Sequence, residues 1–312
     1  YTPMSRCERS AALETAYSAT YPANDPSEDR SIASTLQLGA AGKQVKMIGV
    51  FDGHGGWQVS EFVSENIVEV VTRHLNSLTE HDKSATNTAA VYADESAIGR
   101  ALRSSFAELE GRYVKGVRQS FAYGFGQVAR VGCCALVALR VDDKLSIANA
   151  GDCRAVMGCS SEDDSDEGLV GIRITRDHNA REPLEVLRLK AEHPGESESS
   201  LVRCKNPHAC YVKGRLQLTR ALGDAYLKYE EFNAPPGQHR DRGRHIKPPN
   251  TPPYVGAVPQ LHHLQLQPKR DRFLVIASDG VWDYLSDQDA VDVVARARAA
   301  GECPAEAIRT AA

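Results

Sequence analysis

Apolar residues recur along the chain with two periods, and their alternation divides it into strands and helices. Ser31 to Leu38 and the run from Val45 to Phe51 read as strands, the second ending on Asp52-Gly53-His54-Gly55-Gly56. Trp57 to Leu78 sets Val59, Phe62, Val63, Ile67, Val70, Val71 and Leu75 at helical spacing, which predicts a long amphipathic helix. Thr79 to Asp94 is polar and reads as a loop, and Glu95 to Val114 resumes the helical pattern through Ile98, Leu102, Phe106 and Leu109. Gly132 to Val141 and Lys144 to Met157 read as consecutive strands joined in a hairpin across Asp142-Asp143. Ala180 to His193 reads as a helix closed by Pro194-Gly195, and Arg272 to Ala277 as a further strand. Ser286-Asp287-Gln288-Asp289 caps a last helix through Val291, Val294 and Ala297, its acidic start suited to the helix dipole.

That order lacks the regular alternation of a doubly wound parallel sheet, and it predicts two packed antiparallel sheets with helices outside. Ser160 to Glu167, acidic and serine-rich, reads as a solvated insertion, and Lys228 to Pro253, rich in proline, glycine and basic residues, as an excursion from the core. No internal repeat is visible.

With 41 acidic and 37 basic residues the formal charge is -4, which argues against a nucleic-acid partner or a polybasic membrane surface. A hydrophobic fraction of 42% is ample for a core without staples. No run approaches the ~18 apolar residues that would span a bilayer. The opening Tyr1-Thr2-Pro3-Met4 has no signal-peptide core and reads as the interior of something longer. Among the 8 cysteines, Cys133-Cys134 lie in an apolar run and Cys153 beside Gly151-Asp152, so the expectation is free thiols in a reducing, intracellular setting, cytoplasmic first with mitochondrial or nuclear placement left open. Cys204, His208 and Cys210 have the donors of a zinc site but no second ligand pair, and a loop with free thiols is the favoured reading.

The candidate chemistry lies at strand ends. Asp52, the Asp279-Gly280 pair, Gly151-Asp152 and Glu28-Asp29 each place a carboxylate beside a strand. If these ends converge, so many like charges require cations to neutralise them, and a divalent metal held by oxygen ligands is the economical explanation. Other phosphate chemistries fail on sequence. No P-loop pattern occurs, and no H-E-x-x-H. Cys134 and Arg140 have the spacing of a cysteine phosphatase, but Ala135 to Leu139 is apolar and lacks the glycines that would aim amides at a phosphate. Asp164-Ser-Asp166 and Asp287-Gln-Asp289 are not placed after a buried strand, as an aspartyl-phosphate enzyme would need.

Five ordered motifs, Ser27-Glu28-Asp29-Arg30, Phe51 to Gly56, Ala150 to Arg154, Thr219 to Asp224 and Ala277 to Asp283, together resemble the metal-dependent serine/threonine protein phosphatases of type 2C. The resemblance spans about residues 24 to 295. It implies an α+β fold, a four-layer α-β-β-α sandwich of two antiparallel sheets with helices on the outer faces and a dinuclear metal site at one end. It also implies a single catalytic domain over 1–312, with a flap or insert around 178–253.

The implied chemistry is hydrolysis of phosphoserine and phosphothreonine by a water bridging two Mn2+ or Mg2+ ions, with a weaker third ion. Asp52 would bridge the two ions, Glu28 and the Gly53 carbonyl would complete one shell, Asp279 would hold the other ion, and Asp29 is counted among the metal ligands. Asp152 would orient His54 or, with Asp279, hold the third ion. His54 is the implied general acid, and Arg220 and Asp224 read as mainly structural. Asp177-His178-Asn179, Leu189 to Pro194 and Lys247 to Tyr254 resemble the pyruvate dehydrogenase phosphatase branch. Asn24, at the substrate-phosphate position, resembles that branch too, where most of the family has Arg.

The family's closing Gly-Asp-Asn strand, source of another metal ligand, has no counterpart up to Ala312, and the expectation is that it is missing from this sequence. The implied partner is a phosphoprotein substrate, and the implied state a monomer. The rival reading is a pseudophosphatase that keeps the fold as a binding or regulatory module, against which the retained carboxylates argue.

Overall fold

The computed structural model describes residues 8–9, 16–21, 24–39, 42–81, 95–160, 168–233 and 246–312. Residues 161–167 of the acidic insertion, 82–94 of the polar stretch, 234–245 of the excursion and the first seven residues lie outside the described set.

Thirteen strands occur among the described residues: β1 (Glu8–Arg9), β2 (Tyr17–Ser18), β3 (Arg30–Leu38), β4 (Lys43–His54), β5 (Gly132–Val141), β6 (Lys144–Ala150), β7 (Arg154–Cys159), β8 (Val170–Arg173), β9 (Val202–Asn206), β10 (Ala209–Val212), β11 (Leu222–Gly223), β12 (Gln260–Gln265) and β13 (Asp271–Ala277). The helices are α1 (Gln58–His81), α2 (Glu95–Ala122), α3 (Pro183–Glu192), α4 (Glu198–Leu201), α5 (Ala225–Lys228), α6 (Asp279–Trp282), α7 (Asp287–Ala299) and α8 (Pro304–Ala311).

One antiparallel sheet runs β12-β6-β5-β4-β3, with β11 added beside β5, and a second runs β13-β7-β8. Strand alternation sorts the core into layers. From β5, Cys133, Ala135, Val137, Leu139 and Val141 face α1 and α2, packing with Val59, Ile67, Leu102 and Phe106. The intervening Cys134, Leu136 and Ala138 face the second sheet, where Ala155, Met157, Leu274 and Ile276 meet them. On the far side of the second sheet, Val156, Phe273 and Val275 pack beneath Ala290, Val291 and Val294 of α7 and Ile308 of α8. The result is the expected α-β-β-α sandwich.

Several boundaries differ from the sequence reading. Strand β4 continues through Asp52 and Gly53 to His54, because pairing with β5 holds Asp52 opposite Cys134 and His54 opposite Gly132. The turn comes at Gly55 and Gly56, whose φ of 69° and 142° favour glycine. Lys144 to Met157 is two strands in different sheets, since the chain crosses the sandwich at Gly151-Asp152-Cys153. Helix α1 runs on to His81, into the stretch read as a loop, and α2 extends to Ala122.

The flap region carries α3, α4 and the β9–β10 hairpin. Hairpin register sets Cys210 opposite Cys204, and the two form a disulfide, so neither is the free thiol expected nor a zinc ligand. Cys303 is also disulfide-bonded, whereas Cys133, Cys134, Cys153 and Cys159 are free and buried. The flap is tied down by Glu196, which accepts from Lys213, Tyr254 and Thr251. No helix among the described residues is long and apolar enough to cross a membrane.

Candidate active site

The sandwich brings the strand-end carboxylates together at one edge. Pairing of β3 with β4 sets Arg30 opposite Phe51, which places the preceding Glu28-Asp29 beside Asp52 and Gly53. Arg30 fixes that loop: its guanidinium donates to the carbonyls of Ser27 and Asp29 and pairs with Glu61 of α1. Asp279 arrives from the second sheet as the first residue of α6, directly after β13. Asp152 sits in the crossover between the sheets.

The Asp29 carboxyl lies within hydrogen-bonding reach of Asp52 and of Ser278, and Asp52 within reach of Asp279. Ligand atoms of Asp52, Asp152 and Cys134 all lie within 4.8 Å of one another. Burial pushes Asp52 well above the usual carboxylate range, and Asp279, Asp29 and Asp152 push it further. Asp29 and Asp152 are raised chiefly by burial, and Asp279, with its carboxyl drawn into the cluster, is pushed up to about 6 by desolvation, Asp152 and Asp283. Repulsion of this kind is what a bound cation relieves, and carboxylate and carbonyl oxygens suit a hard divalent ion. Gly53 adds to the fit, since a Cβ there would stand 2.5 Å from the Glu28 carbonyl oxygen. Asn24 donates to Glu28 Oε2 at 2.9 Å, at the rim of the same site.

The crossover is held by residues that the sequence reading used only as branch markers. His178 Nδ1 accepts from the Gly151 amide at 3.2 Å while Nε2 faces Gln260 Oε1 at 3.0 Å. Burial, aided by Arg220, lowers His178 to about 4, so the ring is neutral and Nε2 is the donor. Asn179 Nδ2 donates to Asp152 Oδ2, and Arg154 makes a two-pronged pair with Asp177 and a further bond to Asp287 of α7.

The structure replaces one of the two roles expected of Asp152, the orienting of His54. Asp152 is occupied by Asn179 and by the Cys134 thiol, and the hydrogen-bond partner of His54 is Asp224, with Nε2 and Oδ2 2.7 Å apart. Burial alone would lower the His54 value, but the Asp224 carboxylate outweighs it and holds the imidazole above its ordinary range. Arg220 pairs with Glu185, which Thr219 and Arg188 also engage and which is held at about 2. Asp283 next to Asp279 is the acid that sequence reasoning passed over, although it lies in the quoted Ala277 to Asp283 motif.

Comparison with known proteins agrees with this architecture. The family model for protein phosphatase 2C matches residues 19–312. A probable protein phosphatase 2C 43 of Oryza sativa subsp. japonica is 32% identical over 286 residues, covering 92% of this chain and 65% of the rice protein. A probable protein phosphatase 2C 64 of Arabidopsis thaliana is 30% identical over 278 residues, covering 88% and 63%, and a protein phosphatase 2C homolog of Schizosaccharomyces pombe is 32% identical over 288 residues, covering 87% and 60%. The chain thus spans less than two thirds of the length of these relatives. The crystal structure of a serine-threonine phosphatase 2C from Toxoplasma gondii shares the fold, with a TM-score of 0.64 at 22% identity over 91% of this chain and 83% of that one.

Proposed function

Because the chain belongs to the protein phosphatase 2C family, we propose that it hydrolyses phosphoserine and phosphothreonine in proteins, using two Mn2+ or Mg2+ ions held by its acidic cluster. The observation that carries this reading is the meeting of Asp29, Asp52, Asp152 and Asp279, drawn from both sheets, beside a histidine paired to a buried carboxylate. Asp52 would be shared between the ions, Glu28 and the Gly53 carbonyl would serve one of them, Asp279 the other, and Asp29 would support Asp52. Asp152 and Asp279 would take a weaker third ion. When bound, the ions make water a nucleophile at neutral pH and offset charge on the phosphoryl oxygens.

The remaining work falls to side chains. His54 gives a proton to the seryl or threonyl oxygen as its bond to phosphorus breaks. The Asn24 amide, which sits on Glu28 in this structure, turns to the substrate phosphate as an uncharged donor in place of a guanidinium. The protein acts as a monomer on phosphoprotein substrates. Placement beside the pyruvate dehydrogenase phosphatase branch rests on Asn24, the Asp177-His178-Asn179 triplet and Lys247 to Tyr254. Faster turnover of a phosphoseryl peptide from a pyruvate dehydrogenase subunit than of an unrelated one would support that placement.

The test is Mn2+-dependent hydrolysis of a phosphoseryl peptide, with Asp52→Asn and Asp279→Asn as controls. Turnover should require the ion and be lost in both variants. Activity that persists in EDTA or survives both substitutions refutes the mechanism.

A further inference from the structure

We propose that Asp224 is a positioning residue for proton donation: by holding His54 at Nε2 it leaves Nδ1 as the nitrogen that protonates the departing seryl or threonyl oxygen. This deepens the phosphatase reading and rests on it.

The other buried acids of this fold show what a structural carboxylate looks like here. Glu185 is engaged by Thr219, Arg188 and Arg220, Glu196 by Lys213, Ser200, Thr251 and Tyr254, and Glu110 by Lys228 and the Gly223 amide. Asp224 is fully buried, yet among the described residues its carboxylate bonds to His54 alone, and Oδ1 has no protein donor. Asp224 departs from these three acids in keeping one oxygen without a protein donor.

The local backbone is arranged around that single contact. Asp224 has a φ of 48°, uncommon outside glycine, and stands at the N-cap of α5, where an aspartate ordinarily accepts from the helix amides. Its side chain makes no such cap and turns away to His54. The conformation is fixed by its own amide, which donates to the Val131 carbonyl, and by Lys228, which ties α5 to Glu110 and to the Ala221 carbonyl. Opposite the pair lies Gly132, where a Cβ would stand 2.1 Å from Asp224 Oδ2 and 2.3 Å from His54 Nε2, so the start of β5 is bare where the two side chains meet.

With Nε2–H committed to Asp224, only Nδ1–H is available to substrate. In the step, the water oxygen bonds to phosphorus and the bond from phosphorus to the seryl oxygen breaks. The Nδ1 proton passes to that oxygen, leaving a neutral imidazole with Nε2–H still on Asp224. The proton shed by the water returns to the ring through solvent, giving one alcohol and one phosphate per water consumed.

The experiment compares Asp224→Asn with the unmutated enzyme on a phosphoseryl peptide, whose alkoxide must be protonated to leave, and on p-nitrophenyl phosphate, whose phenolate leaves without help. Asn keeps the shape and tolerates the left-handed backbone. Peptide turnover should fall by about 10²-fold with KM held, and the loss on p-nitrophenyl phosphate should be about tenfold smaller. In a His54→Gln background, Asp224→Asn should add little to either loss. Independently of any variant, ¹⁵N spectra of the unmutated protein should show His54 protonated at Nε2 in its neutral form. Equal losses on both substrates, an undiminished Asp224→Asn effect without His54, or a neutral ring protonated at Nδ1 overturns the assignment. An unmutated protein that turns over neither substrate with Mn2+ would instead remove the phosphatase reading on which the assignment stands.

Discussion

Substituting Gly53 by Ala tests the carboxylate cluster at the point where it has no slack. Gly53 lies in the regular strand β4, outside the left-handed region, so only space requires glycine there. The added Cβ would lie 2.5 Å from the Glu28 carbonyl oxygen, 2.9 Å from Ser60 Oγ and 3.2 Å from Glu28 Cβ. Relaxing the closest of these to ordinary van der Waals contact takes a shift of about 1 Å. Nothing nearby yields easily, because Ser60 Oγ donates to the Glu28 carbonyl and Arg30 holds the carbonyls on either side, at 2.7 and 2.8 Å. Overpacking of this kind costs about 1–3 kcal/mol of stability. The larger effect falls on the ions, since moving Glu28 relative to Asp52 disturbs the frame of the site, a change worth about 10–100-fold in metal affinity. Calorimetric titration of Gly53→Ala with Mn2+ should show that weakening, with a lowered melting temperature in the metal-free protein. Wild-type Mn2+ affinity in a folded Gly53→Ala protein would refute the reasoning.

Two further outcomes follow from the buried ion pairs. Glu196, whose side chain is 1% exposed, is held at about 2 against an ordinary 4.5 because its hydrogen bonds to Lys213, Tyr254 and Thr251 outweigh the cost of burial. That depression corresponds to about 3 kcal/mol, present in full above pH 4.5 and lost as pH falls towards 2, so the stability gap between wild type and Glu196→Gln in urea should shrink over that window. A gap that stays constant from pH 7 to pH 3 would contradict it. Glu110→Gln leaves the Lys228 ammonium buried without its carboxylate 2.7 Å away, which should cost about 3–5 kcal/mol by chemical denaturation. Because Lys228 anchors the segment bearing Asp224, phosphopeptide turnover should fall as well, and unchanged turnover would show that the anchor is dispensable.

The layers of the fold were legible because strand alternation and helical spacing are local. The inward face of α1, with Val59, Val63, Ile67, Val70, Val71 and Leu75, could be marked before its neighbours were known, and Asp52, Asp152 and Asp279 stood out by repeating one arrangement at three strand ends. What escaped depended on partners distant in sequence. Gly151-Asp152 marks a strand end in the sequence, but nothing local says that Gly151 to Cys153 carries the chain from one sheet to the other. Cys204 and Cys210 are six residues apart, but only the hairpin register sets them face to face. Asp224 reads as a structural acid after Gly223, and its bond to His54 spans 170 residues. His178 and Asn179 likewise become interpretable only once Gly151 and Asp152 are seen beside them.

The crossover between the sheets has a consequence for how the protein reaches its working state. Asp52 and His54 belong to one sheet, Asp279 follows a strand of the other, and Asp224 comes from a segment laid down between them. Contacts of such long sequence separation form late, after the entropy of closing the intervening chain has been met. A nascent chain that has paired β3 with β4 and laid α1 against them therefore carries Asp52 and His54 without Asp152, Asp224 or Asp279. The full meeting of Asp29, Asp52, Asp152 and Asp279 is in this sense a property of the finished sandwich, completed only when the second sheet docks.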